Sequence, residues 1–317
     1  MAGAQGSPVV LVGTTASGKS DLALEVARGR LGVEIVSVDS MSVYRGMDIA
    51  TAKPSAAERS AVRHHLVDIV DPSEEFTVSM FQTAARAALD EIAGRGGLAL
   101  LVGGTGLYVR SVVDDLALPG RFPGVAAGLE IEADRPGGLA LLHERLAGLD
   151  PIAAARVTAG NRRRIVRALE VTIGSGRPFS SFGPGLGTYP PTRFTLIGIP
   201  FDAAEVDRRI ETRLSAWMEH GLLDEVLALA AWPGGLSRTA RQALGYKELL
   251  DHLEGSLSLD EALRRAGQRT RAFARRQWAW FRRDPRIRWL DPQDEPTDVV
   301  TRALDARRSA SEVRMRD

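Results

Sequence analysis

The first apolar run of the chain, Val9 to Val12, stops at Gly13. A short run without polar alternation predicts a strand buried on both faces. Lys19 to Arg30 then sets Leu22, Leu24, Val26 and Ala27 at helical spacing. Glu34 to Val38 predicts a second strand and Leu66 to Val70 a third. Met80 to Ile92 predicts a helix stopped by Gly94, Gly96 and Gly97. Leu98 to Val102 is a continuous apolar strand that ends at Gly103-Gly104. Strands alternating with helices predict an α/β fold, a parallel sheet covered on both faces.

The pattern changes near Pro119. Residues 119 to 138 are rich in Gly, Pro and Ala. Helical spacing returns over Leu139 to Leu149 and Ile152 to Ile173. A loop dense in Gly, Ser and Pro follows, Gly174 to Pro191. Phe194 to Ile199 reads as a strand of the resumed sheet. The expectation is a helical insertion over 119–191 inside one α/β core made of 1–118 and 192–317. The remainder reads as helices over Ala203 to His220, Leu222 to Ala231, Ala240 to Leu253 and Leu259 to Arg283. Ile287 to Leu290 predicts a last strand, and the polar tail after Asp291 is expected to fray. No internal repeat is present.

Composition narrows the class. The chain has 317 residues, 44% hydrophobic and 26% charged, which is ordinary for a globular protein. No cysteine is present, so disulfides, thiolate metal sites and a cysteine nucleophile are excluded. No apolar stretch reaches the ~18 residues that a membrane span needs. Met1 to Ser7 lacks the basic and apolar regions of a signal peptide, and a cytoplasmic protein is expected. The net charge of +1 is uninformative, but its distribution is uneven. From Ala262 to Leu290 there are ten arginines and one acid, Asp284. Arg162, Arg163, Arg164 and Arg167 form a second knot. Such clusters suit nucleic-acid phosphates, and they equally suit solvated helix faces.

The sharpest motif is Gly13-Thr14-Thr15-Ala16-Ser17-Gly18-Lys19-Ser20, which fits G-x-x-x-x-G-K-[ST] between a strand and a helix. Glycines let successive N–H groups converge on one anion, and the helix N-terminus adds a positive dipole end. Lys19 adds a charge, and the Ser20 hydroxyl can hold Mg²⁺. The motif specifies a polyphosphate, not ATP. The most apolar strand ends in Gly103-Gly104-Thr105 rather than in an acid. Asp39 closes the second strand, where sheets of this type bind ligands. It reads either as a proton acceptor beside the cradle or as a turn cap. Trp278, Trp280 and Phe281 could stack on bases, but at helical spacing they read better as core.

Several segments together carry a resemblance. They are GTTASGKS (13–20), SVDSMSVYRGMDIATAKP (37–54), HHLVDIVDP (64–72), LVGGTGLYV (101–109), RRIVRALEV (163–171), ALGYKE (243–248) and RQWAWFRR (276–283). From Val9 to Leu290 the chain resembles the bacterial tRNA dimethylallyltransferases. The resemblance implies a P-loop NTPase-like core, similar to nucleotide kinases, with a small helical domain that grips the anticodon stem of tRNA. It implies transfer of a dimethylallyl group from dimethylallyl diphosphate to the exocyclic amine of the adenosine 3′ of the anticodon, with Mg²⁺. By the same resemblance Asp39 is the base, and Thr15, Lys19, Ser20 and Arg213 hold the leaving diphosphate. Thr105 matches a position facing the adenosine. Asp39, Ser40, Met41 and Ser42 match a segment that touches tRNA. So do Gln242, Ala243, Leu244, Gly245, Tyr246 and Lys247, and Arg164 lies in the insertion's basic knot. The target adenine must present its amine, so it is expected to leave its stack. A monomer without an obligate protein partner is expected.

The chain departs from the family pattern at Ala126, where an arginine is usual, at Gly160-Asn161, where Asn-Asp is usual, and at Ser42, where glutamine is common. These departures concern RNA contacts more than chemistry. Two other readings use the same residues. A small-molecule or nucleoside kinase would place ATP in the loop and use Asp39 on a hydroxyl. A non-catalytic RNA-binding module would keep only the fold.

Overall fold

The computed structural model describes residues 8–314, with side chains through Ala306. The reading of Met1 to Ser7 lies outside the described residues. The chain forms two compact units, Met1–Asp114 with Pro191–Asp317, and Asp115–Pro190. The sequence pattern put the insertion at 119–191.

The larger unit is built on strands β1 (Val9–Val12), β2 (Val33–Val38), β3 (His64–His65), β4 (Leu98–Gly103), β5 (Thr195–Gly198) and β6 (Arg288–Trp289). All pair in parallel, in the order β3-β2-β4-β1-β5-β6. Its helices before the insertion are α1 (Lys19–Arg28), α2 (Ala56–Ala61), α3 (Val78–Gly94) and α4 (Gly106–Val113). The smaller unit holds α5 (Pro123–Ala133), α6 (Gly138–Leu149), α7 (Pro151–Arg156) and α8 (Arg162–Ser175). After it come α9 (Ala203–Glu219), α10 (Leu222–Ala230), α11 (Tyr246–Leu253), α12 (Leu259–Phe281) and α13 (Pro296–Arg314).

Alternation along the strands divides the core. Val10, Val12, Val36, Val38 and Leu101 face one layer with Phe81, Leu89, Tyr108 and Leu249. Val9, Leu11, Ile35, Leu100 and Val102 face the other with Ala23, Val26, Val300 and Leu304. Each strand is thus apolar on both faces, as a doubly covered parallel sheet requires. The smaller unit has its own core of Leu129, Leu142, Leu146, Ile165 and Leu169. Among the described residues no helix is long and apolar enough to cross a membrane.

Four sequence expectations need correction. Leu66 to Val70 is not a strand. Leu66 and Asp68 take positive φ (63° and 57°), and Asp68 instead accepts from Lys53 Nζ and Arg59, both at 2.5 Å. Ile152 to Ile173 is two helices, because the Asn161 side chain caps α8 at Arg164 N (3.2 Å). Ala240 to Leu253 is interrupted at Gly245 (φ +85°), after which α11 begins. The tail after Asp291 holds α13, with Val299, Val300 and Leu304 buried against the sheet. The segment rich in Gly, Pro and Ala also contains α5, started by Pro123 at its first turn.

Candidate active site

Strand register brings three loops together. Val12 pairs with Gly103, and Gly103 with Val38, so the residues after β1, β4 and β2 emerge side by side. These are Gly13 with its loop, Gly104-Thr105, and Asp39. The approach leaves no room for side chains at the glycines. A Cβ on Gly103 would lie 2.0 Å from Val38 O, and one on Gly104 would lie 2.9 Å from Gly13 O.

The loop from Gly13 to Ser20 wraps toward the N-terminus of α1, with Gly18 at φ +86° as its cap residue. Ala16 also takes a positive φ, 61°. Thr14 Oγ1 and Ser17 Oγ are buried without a hydrogen-bond partner. Such groups are costly unless something else satisfies them. Lys19 Nζ donates to Thr14 O (3.1 Å), and its pKa is pushed down to about 8 by burial. Asp39 and Asp21 act to raise it, and Arg213 to lower it further. Arg213, on α9, is also held below the usual arginine value by burial, against the attraction of Asp21. Among the described residues it makes no hydrogen bond or ion pair. Arg209, one turn earlier, donates to Ala16 O (3.4 Å). A cavity of about 460 Å³ opens beside Ser17 and Gly18, with Asp21, Arg209 and Arg213 on its wall. Ser20 is exposed at the first turn of α1.

Asp39 serves as a turn cap and leaves an oxygen over. Its Oδ1 accepts from Met41 N (2.7 Å) and Ser42 N (3.2 Å). Its Oδ2 makes no hydrogen bond among the described residues. Ser40 N donates to Thr105 Oγ1 (3.4 Å), which ties this turn to the one after β4. Ser42 is buried, with its hydroxyl 2.9 Å from Ser37 Oγ. In the segment 242–247, Gln242 is exposed, while Leu244 and Lys247 are half-buried. Lys247 pairs with Asp251 at 2.7 Å. Tyr246 is only 1% exposed, and its hydroxyl donates to Glu225 (2.6 Å). The same carboxylate accepts from Asp48 N and Ile49 N, both at 3.1 Å. Ala243 and Gly245 are buried too.

A family model described as IPP transferase matches residues 42–284, a span that starts after the loop and Asp39. The chain belongs to the IPP transferase family. A tRNA dimethylallyltransferase of Kineococcus radiotolerans is 47% identical over 305 residues, covering 94% of this chain and 95% of that protein. One of Acidothermus cellulolyticus is 49% identical over 294 residues, covering 92% and 91%. Among solved structures, a full-length tRNA isopentenylpyrophosphate transferase from Bacillus halodurans is 35% identical with a TM-score of 0.68, covering 97% of this chain and all of that one. A eukaryotic dimethylallyltransferase acting on tRNA has a TM-score of 0.73 at 25% identity, covering 96% and 77%.

The basic clusters of this IPP transferase chain change their meaning in three dimensions. On and after α12, Arg264 and Arg265 pair with Glu261, Arg269 with Glu248, and Arg271 and Arg275 with Asp207. Arg286 pairs with Asp114 and Asp284, and Arg288 with Asp294. Among the described residues only Arg276, Arg282 and Arg283 of the ten have no carboxylate partner. In the smaller unit Arg162 pairs with Glu130 and Asp134, and Arg167 with Glu170. Arg163 and Arg164 stay exposed. Of the aromatic residues of α12, Phe273, Trp278 and Trp280 are half-buried and only Phe281 is fully buried. Trp278 stacks on Phe201 with Trp289 at its edge. Trp280 fills the space that a Cβ on Gly106 would occupy, 2.3 Å away.

Sequence reasoning missed Gln277. It is 5% exposed and accepts from Thr15 N at 2.7 Å, and its Nε2 donates to Gly104 O at 2.9 Å. The available signal was a polar residue in the stripe Ala266, Thr270, Ala274, Gln277 and Phe281, which is the buried face of α12.

Proposed function

We propose that this chain transfers the dimethylallyl group of dimethylallyl diphosphate to the exocyclic amine of the adenosine 3′ of the anticodon in tRNA, releasing diphosphate. Family membership gives the reaction class. The observation that supports the site assignment is the strand register, which brings the glycine-rich loop and a carboxylate with a free oxygen to one edge of the sheet, on either side of the turn after β4. The adenine amine attacks the first carbon of the allylic group, and the carbon–oxygen bond to diphosphate breaks. The amine is a weak nucleophile because its lone pair is delocalised into the ring. Asp39 takes the proton it sheds, on Oδ2, while the amides of Met41 and Ser42 hold Oδ1 in place.

Negative charge builds on the departing diphosphate, and donors aimed at it lower the barrier. We assign that role to the amides from Ala16 to Ser20, the hydroxyls of Thr14, Thr15 and Ser17, Lys19 and Arg213. The unpartnered hydroxyls of Thr14 and Ser17 support a guest rich in acceptor oxygens. With a pKa of about 8 Lys19 is charged at neutral pH, and a bound anion raises that value.

The residues present also fit Mg²⁺. No group of three or more His, Asp or Glu side chains among the described residues could cage a metal. Mg²⁺ is commonly held by one or two protein groups together with substrate phosphates. Ser20 would be the protein ligand. When bound, the ion neutralises charge on the leaving group.

For the tRNA side we propose Thr105 beside the adenosine, with contacts from Asp39 to Ser42 and from Gln242 to Lys247. In the second segment Gln242, Leu244 and Lys247 offer side chains, whereas Tyr246 supports the loop from within. Arg163 and Arg164 of the smaller unit meet anticodon-stem phosphates. All these groups lie on one chain, which supports a monomer, and the proposed tRNA substrate supports a cytoplasmic location.

The test is a transfer assay with Mg²⁺, labelled dimethylallyl diphosphate and unmodified tRNA, followed by nucleoside analysis. Label in an isopentenyl-type adenosine beside the anticodon is the expected result. Phosphoryl transfer from ATP without prenyl transfer would replace this reading with a kinase.

A further inference from the structure

Two of the three loops at the site share a tether that comes from none of them. Gln277 lies on the buried face of α12, 262 residues from Thr15 and 173 from Gly104. Its carbonyl oxygen takes the Thr15 amide at 2.7 Å, and its amide nitrogen gives to the Gly104 carbonyl at 2.9 Å. A Cβ on Gly104 would lie 2.3 Å from Gln277 Nε2, so the turn after β4 is shaped around this side chain. The next residue, Thr105, accepts from Ser40 N, beside Asp39. One continuous set of bonds therefore runs from the cradle through Gln277 to the turn after β4 and on to the Asp39 turn.

Two consequences follow from the chemistry of a primary amide. Only a group with one acceptor and one donor on neighbouring atoms makes both bonds. The Thr15 amide is also occupied, which leaves its hydroxyl as the group it can offer a leaving diphosphate. We propose that Gln277 is a positioning residue, setting the distance between the diphosphate cradle and the turns that receive the adenine. This rests on the transfer reaction proposed above. Misplacing reacting groups by about 1 Å costs on the order of 10²-fold in rate.

The experiment uses the full chain with two substitutions. Gln277→Met keeps the volume and removes both bonds. We expect kcat to fall roughly tenfold to hundredfold with KM for tRNA unchanged, and inorganic diphosphate with Mg²⁺ to bind more weakly by calorimetry. Gln277→Glu gives a proton-dependent version. Ionised, the carboxylate accepts from Thr15 N but faces the Gly104 carbonyl without a proton. Protonated, it makes both bonds as glutamine does, and burial raises its pKa. The ratio of Gln277→Glu to wild-type kcat should therefore rise as pH falls from about 8 to about 6. A purely structural role would leave that ratio flat. Unchanged kcat and diphosphate affinity in Gln277→Met, or a flat ratio, would overturn the assignment. If the wild-type chain shows no transfer, the reaction proposal fails by itself. The diphosphate affinity of Gln277→Met, weakened or not, then still decides for or against the tether.

Discussion

Asp39 shows how one carboxylate serves structure and chemistry together. Its two backbone bonds through Oδ1 fix the turn, and the second oxygen is left for a proton. Asp39→Asn keeps the cap and loses the base. We expect single-turnover rates to fall by roughly 10²–10⁴-fold while tRNA affinity, measured by filter binding, stays within about threefold. A variant that binds tRNA poorly and turns over normally at saturation would remove Asp39 from the role of base. Lys19 gives a pH signature. Burial brings its pKa to about 8, so the free chain carries that charge below this value and loses it above. Diphosphate binds the charged form. Its affinity should therefore fall as pH rises from about 7 to about 9, with proton uptake on binding at the upper end. Calorimetry in buffers of different ionisation enthalpy measures both effects, and Lys19→Met should abolish them.

At the scale of elements, buried polar links decide which loops move together. Glu225 on α10 joins the loop at Asp48 and Ile49 to Tyr246 at the start of α11. Burial, with Glu225 beside it, raises the Tyr246 pKa above the ordinary tyrosine value, so the hydroxyl keeps its proton and donates. Glu225→Ala strands that hydroxyl and both amides. The expected outcome is a loss of about 1–3 kcal/mol in urea unfolding and a higher KM for tRNA, with KM for the allylic diphosphate unchanged. Helix α13 makes a second case. Its polar composition suggested fraying, yet Val299, Val300 and Leu304 complete one layer of the sheet. Leu304 is 2% exposed, and Leu304→Ala should cost about 2–5 kcal/mol, read as a shift in the denaturation midpoint. A cost near zero would mean that α13 does not hold that layer.

For the whole molecule, the two units divide the labour of the proposed reaction. The larger carries the cradle and Asp39, and the smaller has an independent core with Arg163 and Arg164 exposed. Replacing both arginines by alanine should weaken tRNA binding and lower the slope of log K against log salt by about 2, roughly one per phosphate contact. Turnover at saturating tRNA should not change. Arg162→Ala serves as the contrast. That side chain is committed to Glu130 and Asp134, so its loss should leave the salt slope intact. Equal salt slopes for the Arg163/Arg164 double variant and the wild-type chain would remove the phosphate contacts from this pair.

What the residues alone determined is local. The loop from Gly13 to Ser20 needs only glycines, a lysine and a hydroxyl at set spacing to make an anion cradle. The runs Val9 to Val12 and Leu98 to Val102 are apolar at every position, and that suffices for strands buried on both faces. The family followed from contiguous segments for the same reason. Three things depended on distance through space. The order β3-β2-β4-β1-β5-β6 brings Asp39 and the cradle to the same edge of the sheet with only the turn after β4 between them, although Asp39 lies 19 positions after Ser20 in the chain. Seven of the ten arginines between Ala262 and Leu290 pair with acids of α9, α11, α12 itself and the loops, so charge counted along the chain overstates the charge at the surface. Gln277 links Thr15 to Gly104 only because α12 lies across both loops. A hydrogen bond requires atoms within about 3 Å, and no spacing along a chain implies that for residues on different elements.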